Sequence, residues 1–155
     1  MMKNLQENLK EWSNGLPNTS YSITNESNIK FEENKSQIIF SNKSKKKCLK
    51  VDIDGGVYTK GGKNLRCDKM LVEKGNLRFY FIELKGKNTE HAIKQLYSSI
   101  NDSKLNPDCS QEKIAFVVGK NHFPTTSPLI QGWVKKFNKA GSILEIKNTP
   151  AKHEL

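Results

Sequence analysis

An acid, followed fifteen residues later by a glutamate and a lysine, is the part of this sequence best suited to chemistry. Asp68 lies in the segment RCDKMLV, and Glu83 and Lys85 lie in FYFIELKGK. Side chains alternate across a β-strand, so Glu83 and Lys85 share one face of the second segment. Charged groups at the end of an apolar strand are costly to bury unless they have partners or a function. We therefore take Asp68, Glu83 and Lys85 as candidate catalytic residues.

Two carboxylates that converge beside a lysine suit a hard divalent cation. Magnesium prefers oxygen ligands, and a bound cation lowers the pKa of water and neutralises charge on a phosphoryl oxygen. A neighbouring lysine orients or deprotonates the attacking water, or stabilises the charge that develops. The pattern therefore predicts hydrolysis of a phosphodiester with Mg²⁺, or Mn²⁺ in its place. Asp68 and Glu83 are the expected metal ligands, and Lys85 is expected to assist the water.

This pattern resembles the PD-(D/E)xK nuclease superfamily of restriction enzymes, repair nucleases and resolvases. Asp68 matches the family's lone metal-binding acid, and Glu83-Leu84-Lys85 matches its (D/E)xK element. Gln95, in the helix that follows, matches a polar residue that often lines the site. The resemblance covers roughly residues 48–118. It implies an α/β, restriction-endonuclease-like αβββαβ core with a mixed central sheet flanked by helices. It also implies a homodimer, since many relatives dimerise to cut both strands.

The sequence departs from the family pattern in two places. Cys67 stands where proline is common before the acid. The family often has a further metal-binding glutamate on its first helix, and no single residue is identifiable here. The acids that remain open for this role are Glu7, Glu11, Glu32, Glu33, Asp52 and Asp54.

The length of 155 residues, with no linker long enough to divide the chain, predicts a single domain over residues 1–155. A short helix is expected over residues 5–12 and mainly polar loop over 16–35, in which Tyr21 and Ile23 are able to seed a short strand. Strands are predicted over residues 36–40, 49–53, 65–72, 77–84, 113–119 and 142–146. Helices are predicted from Asn88 or Thr89 to Ile100, and from Ile130 to the residue before Gly141. The expected division is an N-terminal helix and variable segment (1–47), a catalytic core (48–147) and a loose tail (148–155).

Charge points to a polyanionic partner. The chain has 26 lysines and arginines against 16 acids, a formal net charge of +10. Such a balance favours nucleic acid, and DNA is expected over RNA. Two segments are expected to hold the phosphate backbone, a lysine-rich run over residues 43–50 and a glycine-rich loop over 55–63. Their candidate contacts are Lys43, Lys45, Lys46, Lys47, Lys60 and Lys63. An ordinary solvated loop is the alternative interpretation of the lysine run.

The expected function is a metal-dependent endonuclease acting on DNA or RNA, in microbial defence, restriction or recombination, alone or within a larger complex. No run approaches the ~18 apolar residues of a membrane span. The scattered cysteines and the absence of a signal-like stretch favour the cytoplasm. Two alternatives stay open. One is a non-catalytic nucleic-acid-binding or assembly subunit that retains the fold, and the other is an unrelated α/β protein with a chance ELK tripeptide.

Overall fold

The structure is a computed structural model that describes residues 16–59, 65–75, 78–84, 88–102, 105, 112–120 and 127–155. Within these ranges the chain is a mixed α/β protein with two sheets and two helices. The helix expected over residues 5–12 lies outside the described residues.

The strands and helices follow one another in a simple order. The strands are β1 (Tyr21–Thr24), β2 (Asn28–Glu33), β3 (Ser36–Ser41), β4 (Cys48–Asp52), β5 (Lys69–Glu73), β6 (Arg78–Leu84), β7 (Glu112–Gly119), β8 (Ser142–Asn148) and β9 (Ala151–Glu154). The helices are α1 (Thr89–Ile100), between β6 and β7, and α2 (Pro128–Lys139), between β7 and β8. A 3₁₀ turn over Asn18–Ser20 precedes β1.

The larger sheet has six strands in the order β1-β4-β5-β6-β7-β8. Neighbouring strands are antiparallel from β1 to β6, whereas β6, β7 and β8 are parallel to one another. Parallel neighbours need a crossover connection, and α1 and α2 supply the two that are required. The predicted mixed sheet with helices is therefore confirmed at the level of an α/β fold.

The two faces of the larger sheet bury different cores. Phe79 and Phe81 of β6 pack in the core that contains α1 and α2, whereas Tyr80 and Ile82 pack against the smaller sheet. The smaller sheet has the order β2-β3-β9. Because β6 is covered on both faces, its sequence is a continuous apolar run rather than an alternating one.

Both helices begin at side-chain caps. The side chain of Asn88 accepts a hydrogen bond from the backbone N–H of His91 (3.0 Å), so Asn88 is the cap of α1 and Thr89 its first residue. Ser127 caps α2 by accepting from the N–H of Ile130 (3.3 Å). Gly141, predicted to end the second helix, follows α2 with a positive φ of 76°.

The expectation of a loose C-terminal tail is wrong. Ala151–Glu154 forms β9, which pairs in parallel with β3. The His153 ring lies 5.2–5.8 Å from the rings of Phe40, Tyr80 and Phe116. The sequence of this segment is mainly polar because so short a strand has few residues facing the core. Its pairing partner lies more than a hundred residues away in sequence, so no local pattern indicates a strand.

Two other expectations need correction. Residues 16–35 are not mainly loop, because they contain β1 and β2, and Ile29 and Phe31 of β2 are buried. The strand predicted over residues 65–72 begins later and runs over Lys69–Glu73. Asp68 therefore immediately precedes β5 rather than lying within it.

Candidate functional site

The β5–β6 hairpin brings Asp68 and Glu83 together. Its register pairs Lys69 with Ile82, which places Asp68 opposite Glu83 at the next position. The backbone N–H of Asp68 donates to Oε1 of Glu83 (3.1 Å), and the N–H of Leu84 donates to Oδ2 of Asp68 (2.8 Å). Each carboxylate is thus held by the backbone of the strand end that carries the other.

Burial gives this pair unusual electrostatics. Glu83 is fully buried and Asp68 is 7% exposed. Loss of solvent raises the pKa of Asp68 to about 6, although the hydrogen bond from the Leu84 N–H acts in the opposite direction. The negative charges of Glu33 and Asp54 raise the pKa of Asp68 further. A strongly perturbed carboxyl group of this kind is typical of functional sites.

Two of the acids left open by the sequence lie beside Asp68. Glu33 ends β2, and Asp54 lies in the turn after β4. The backbone N–H groups of Ile53 (3.0 Å) and Asp54 (3.4 Å) donate to the carbonyl oxygen of Asp68. These hydrogen bonds join the turn after β4 to the residue that precedes β5. The structure therefore places carboxylates from two further segments, those of Glu33 and Asp54, near Asp68.

The other open acids are in ion pairs or lie outside the described residues. Asp52 pairs with Lys69 (2.9 Å), which also contacts Glu33 (3.9 Å), and Glu32 pairs with Lys30 (2.7 Å). Glu7 and Glu11 lie in residues 1–15, which the structure does not describe.

The donor chemistry of the pair fits a hard cation, because carboxylate oxygens are the ligands that Mg²⁺ prefers. Within the described parts of the chain, no group of three or more His, Cys, Asp or Glu side chains is arranged to hold a metal ion. Lys85 lies in residues 85–87, and Lys60 and Lys63 lie in residues 60–64, all outside the described residues.

Gln95 reaches the segment that carries Asp68. Its Nε2 donates to the carbonyl oxygen of Arg66 (3.1 Å), two residues before Asp68. Its Oε1 is buried and has no hydrogen-bond partner among the described residues. Gln95 therefore binds the backbone next to the carboxylate pair, and nothing shows its side chain in contact with the carboxylates themselves.

A polar cluster that sequence reasoning missed fixes the same segment. Arg66 donates from Nε to Oδ2 of Asp102 (2.8 Å) and from Nη1 to Oγ of Ser98 (3.0 Å). The Tyr58 hydroxyl donates to the same Asp102 oxygen, and the Arg66 guanidinium lies 4.6 Å from the centre of the Tyr58 ring. No local pattern signals this cluster, because its members come from three distant segments.

The lysine-rich run lies at the opposite end of the larger sheet from the carboxylate pair. Lys46 pairs with the buried Glu73 at the far end of β5 (3.1 Å), and the N–H of Lys74 donates to the carbonyl oxygen of Lys47 (3.2 Å). Five residues of strand separate Asp68 from Glu73, a distance of about 17 Å. Lys43, Lys45, Lys46 and Lys47 are thus too far away to contact a phosphate bound at the carboxylates.

No helix among the described residues is long and apolar enough to cross a membrane. In comparisons with known proteins, no protein-family model, no curated protein and no solved structure matches this chain.

Proposed function

We propose that this protein is a metal-dependent nuclease that hydrolyses phosphodiester bonds, with DNA as the first choice of substrate and RNA as the second. The observation that carries the proposal is the buried pair of Asp68 and Glu83, held together at the ends of adjacent strands. Two buried carboxylates are unfavourable in a fold unless a positive ligand or a proton compensates their charge.

The arrangement of elements supports the same proposal. The antiparallel strands β4, β5 and β6 are followed by α1 and then by β7, which is parallel to β6. This is the βββαβ part of the order that the resemblance to PD-(D/E)xK nucleases implies. The resemblance implies the acid and the (D/E)xK element on paired strands; here Asp68 immediately precedes β5, and Glu83 lies near the end of the adjacent β6.

Each residue has a defined role in the proposed site. Asp68 and Glu83 would hold the metal, and backbone N–H groups keep both carboxylates in position. A bound Mg²⁺ would acidify a water molecule and neutralise charge on the phosphoryl oxygen. In the absence of a cation, burial raises the pKa of Asp68 to about 6, so a bound cation would compensate a charge that burial disfavours. Lys85 would orient the attacking water, and this role rests on the resemblance.

Cleavage assays with matched buried glutamates test the proposal. Glu83→Gln and Asp68→Asn are expected to lower the rate of cleavage in Mg²⁺ by about 100-fold or more, since each removes charge at the reacting centre. Lys85→Ala is expected to do the same. Glu73→Gln is the control, because Glu73 is equally buried but lies at the other end of β5. Equal cleavage by all of these proteins would overturn the proposal.

A non-catalytic nucleic-acid-binding subunit is the second candidate. It is favoured by one observation, namely that both carboxylates are already engaged by backbone N–H groups and have little exposure. This candidate predicts that the native protein binds nucleic acid without cutting it in Mg²⁺ or Mn²⁺. A homodimer, and a setting in defence, restriction or recombination, belong to the nuclease proposal.

A further inference from the structure

A groove of about 710 Å³ opens where α1, α2 and the segment before β5 meet. Tyr97 of α1 and Trp133 of α2 line it, with ring centroids 5.7 Å apart in an edge-to-face arrangement. Leu65, which is 42% exposed, adds apolar surface to the lining. The groove therefore offers flat aromatic surface to a ligand, and its volume is within the range of small-molecule sites.

Positive charge surrounds this aromatic surface. The ammonium group of Lys136 lies 4.8 Å from the Trp133 ring centre and 5.5 Å from that of Tyr97. Lys94 also lines the groove, and its pairing with Glu90 (3.7 Å) is a half-exposed surface contact that contributes little. Aromatic rings flanked by cations are the combination that binds a nucleobase together with its phosphate.

The polar part of the lining is fixed in place. Arg66 is held by Asp102 and by Ser98, so its guanidinium does not have to be ordered when a ligand binds. Asp102 and Ser98 also line the groove, and their side-chain oxygens are the atoms that hold Arg66. A fixed polar wall lowers the entropic cost of binding.

The groove adjoins the carboxylate pair on the helix side of the larger sheet. Arg66 precedes Asp68 by two residues, which limits their Cα separation to about 7 Å. Glu83 alternates with Tyr80 and Ile82 and faces the same side as Phe79 and Phe81, the side on which α1 and α2 pack. A nucleic-acid strand lying in the groove would therefore contact the segment that carries Asp68, although Asp68 itself does not line the groove.

We propose that this groove binds an unpaired nucleotide of the substrate, with the base against Tyr97 and Trp133 and the phosphate near Lys94 and Lys136. The inference rests on the proposed nuclease function, because it names the form of nucleic acid that the site accepts. Paired bases in a duplex are stacked and cannot reach such a surface, whereas unpaired bases stack on aromatic side chains. The substrate class is thus single-stranded nucleic acid or a junction between single and double strands.

Binding measured without divalent metal separates this inference from catalysis. A fluorescent oligothymidylate and a blunt duplex of equal length are titrated with the protein in EDTA. Trp133→Ala is expected to weaken binding of the single strand by about tenfold, the loss typical of one stacked base. Binding of the duplex is expected to change little. Equal effects on both ligands, or none on the single strand, would overturn the inference.

A pair of lysines on α2 provides a test that does not depend on a large truncation. Lys136→Gln removes the cation beside the rings, whereas Lys135→Gln removes an equal charge two residues from Trp133, a spacing that does not share a helix face. Lys136→Gln is expected to weaken single-strand binding severalfold more than Lys135→Gln. Equal losses would indicate non-specific attraction and would overturn the inference.

Two further outcomes distinguish the proposals from each other. Binding of the single strand that depends on Trp133, in a protein that never cleaves, would support the groove and contradict the nuclease proposal. Cleavage that depends on Glu83 but is unchanged by Trp133→Ala and Lys136→Gln would support the nuclease and overturn the groove. Equally tight, Trp133-dependent binding of a polyglutamate peptide would also overturn it, because the groove would then select acidic protein rather than a nucleotide.

Discussion

At the residue scale, burial in the fold destabilises the ionised form of Asp68. The pKa of this carboxyl is raised from 3.8 to about 6 because burial disfavours the ionised form. Below pH 3.8, Asp68 is protonated in both the folded and the unfolded state, and its burial carries no charge penalty. As the pH rises from 3.8 to about 6, the unfolded chain loses this proton first, so the free energy of unfolding falls. The full cost above about pH 7 is about 3 kcal/mol.

Asp68→Asn is expected to remove this pH dependence. Its side-chain oxygen still accepts the hydrogen bond from the Leu84 N–H, but it carries no charge to bury. The free energy of unfolding of the variant should exceed that of the native protein increasingly as the pH rises between 3.8 and about 6. Urea denaturation across this range measures the difference. A difference that does not change with pH would contradict the assignment of the raised pKa to Asp68.

Magnesium is expected to oppose the same penalty. A cation bound to ionised Asp68 and Glu83 stabilises the folded state, by about 2.7 kcal/mol when its concentration is a hundred times its Kd. Thermal unfolding above about pH 7 should therefore shift upward with added Mg²⁺ in the native protein and in Glu73→Gln. Asp68→Asn and Glu83→Gln should show no shift. A shift of equal size in all four proteins would place the cation elsewhere.

Local sequence predicted part of this site and missed the rest for a physical reason. Asp68 and Glu83 were predictable because a short hairpin and strand alternation place them opposite each other. Glu33 and Asp54 were only two among six open acids, since their proximity to Asp68 depends on how the smaller sheet and the turn after β4 pack. Arg66 gave no signal at all, because its partner Asp102 lies across a helix.

At the element scale, the turn after β4 is packed too closely to accept a side chain on Gly56. The N–H of Val57 donates to the carbonyl oxygen of Asp52 (3.0 Å), and that of Tyr58 to the carbonyl oxygen of Ile53 (2.9 Å). A Cβ atom on Gly56 would collide with the carbonyl oxygen of Asp52 and approach its Cβ to 2.9 Å. The turn that presents Asp54 to the site therefore requires glycine at this position.

Gly56→Ala and Gly132→Ala are expected to have opposite effects. The first forces apart a hydrogen-bonded turn and should lower the free energy of unfolding by about 1–3 kcal/mol. The second lies in exposed α2, where an added Cβ meets no atom within 4 Å, and should raise it by about 1 kcal/mol through helix propensity. Chemical denaturation of both variants checks the signs. Stabilisation by Gly56→Ala would contradict the described turn.

The elements predicted from the sequence are those whose own residues carry the full pattern of a strand or a helix. β6 and β7 are long apolar runs, and α1 and α2 have side-chain caps and apolar stripes. β9 was missed because its stability comes from pairing with β3 and from the packing of His153 on distant aromatic rings. A four-residue strand has too few residues for its own pattern to be read.

At the scale of the whole molecule, the two lysine-containing regions considered for binding lie apart. The groove with Lys94 and Lys136 adjoins the carboxylate pair, whereas the lysine-rich run lies about 17 Å away along β5. Asn42 shapes that run, because its side chain donates to the carbonyl oxygen of Lys46 (2.9 Å) and accepts from the Lys46 N–H (2.9 Å). A nucleic acid bound at the proposed site would therefore have to extend beyond it to meet both regions.

Removing charge from the lysine-rich run is expected to affect long substrates alone. Lys45 and Lys47 are exposed. At about 3.4 Å per base pair, the separation of about 17 Å corresponds to about five base pairs. The double variant Lys45→Gln/Lys47→Gln should therefore weaken binding only when the nucleic acid extends at least that far from the carboxylate pair. For a long duplex the slope of log affinity against log salt concentration should fall by up to about 1.8.

The matched control is Lys135→Gln/Lys139→Gln, which removes the same charge from exposed positions on α2. Anisotropy titrations at several salt concentrations compare the two double variants, with substrates that join a single-stranded end to a short or a long duplex. Because the lysine-rich run would contact phosphates at a defined distance from the carboxylates, only Lys45→Gln/Lys47→Gln should show an effect that depends on length. Equal losses for short and long duplexes would mean that the run acts only through the net charge of the protein, and that the extended binding path does not exist.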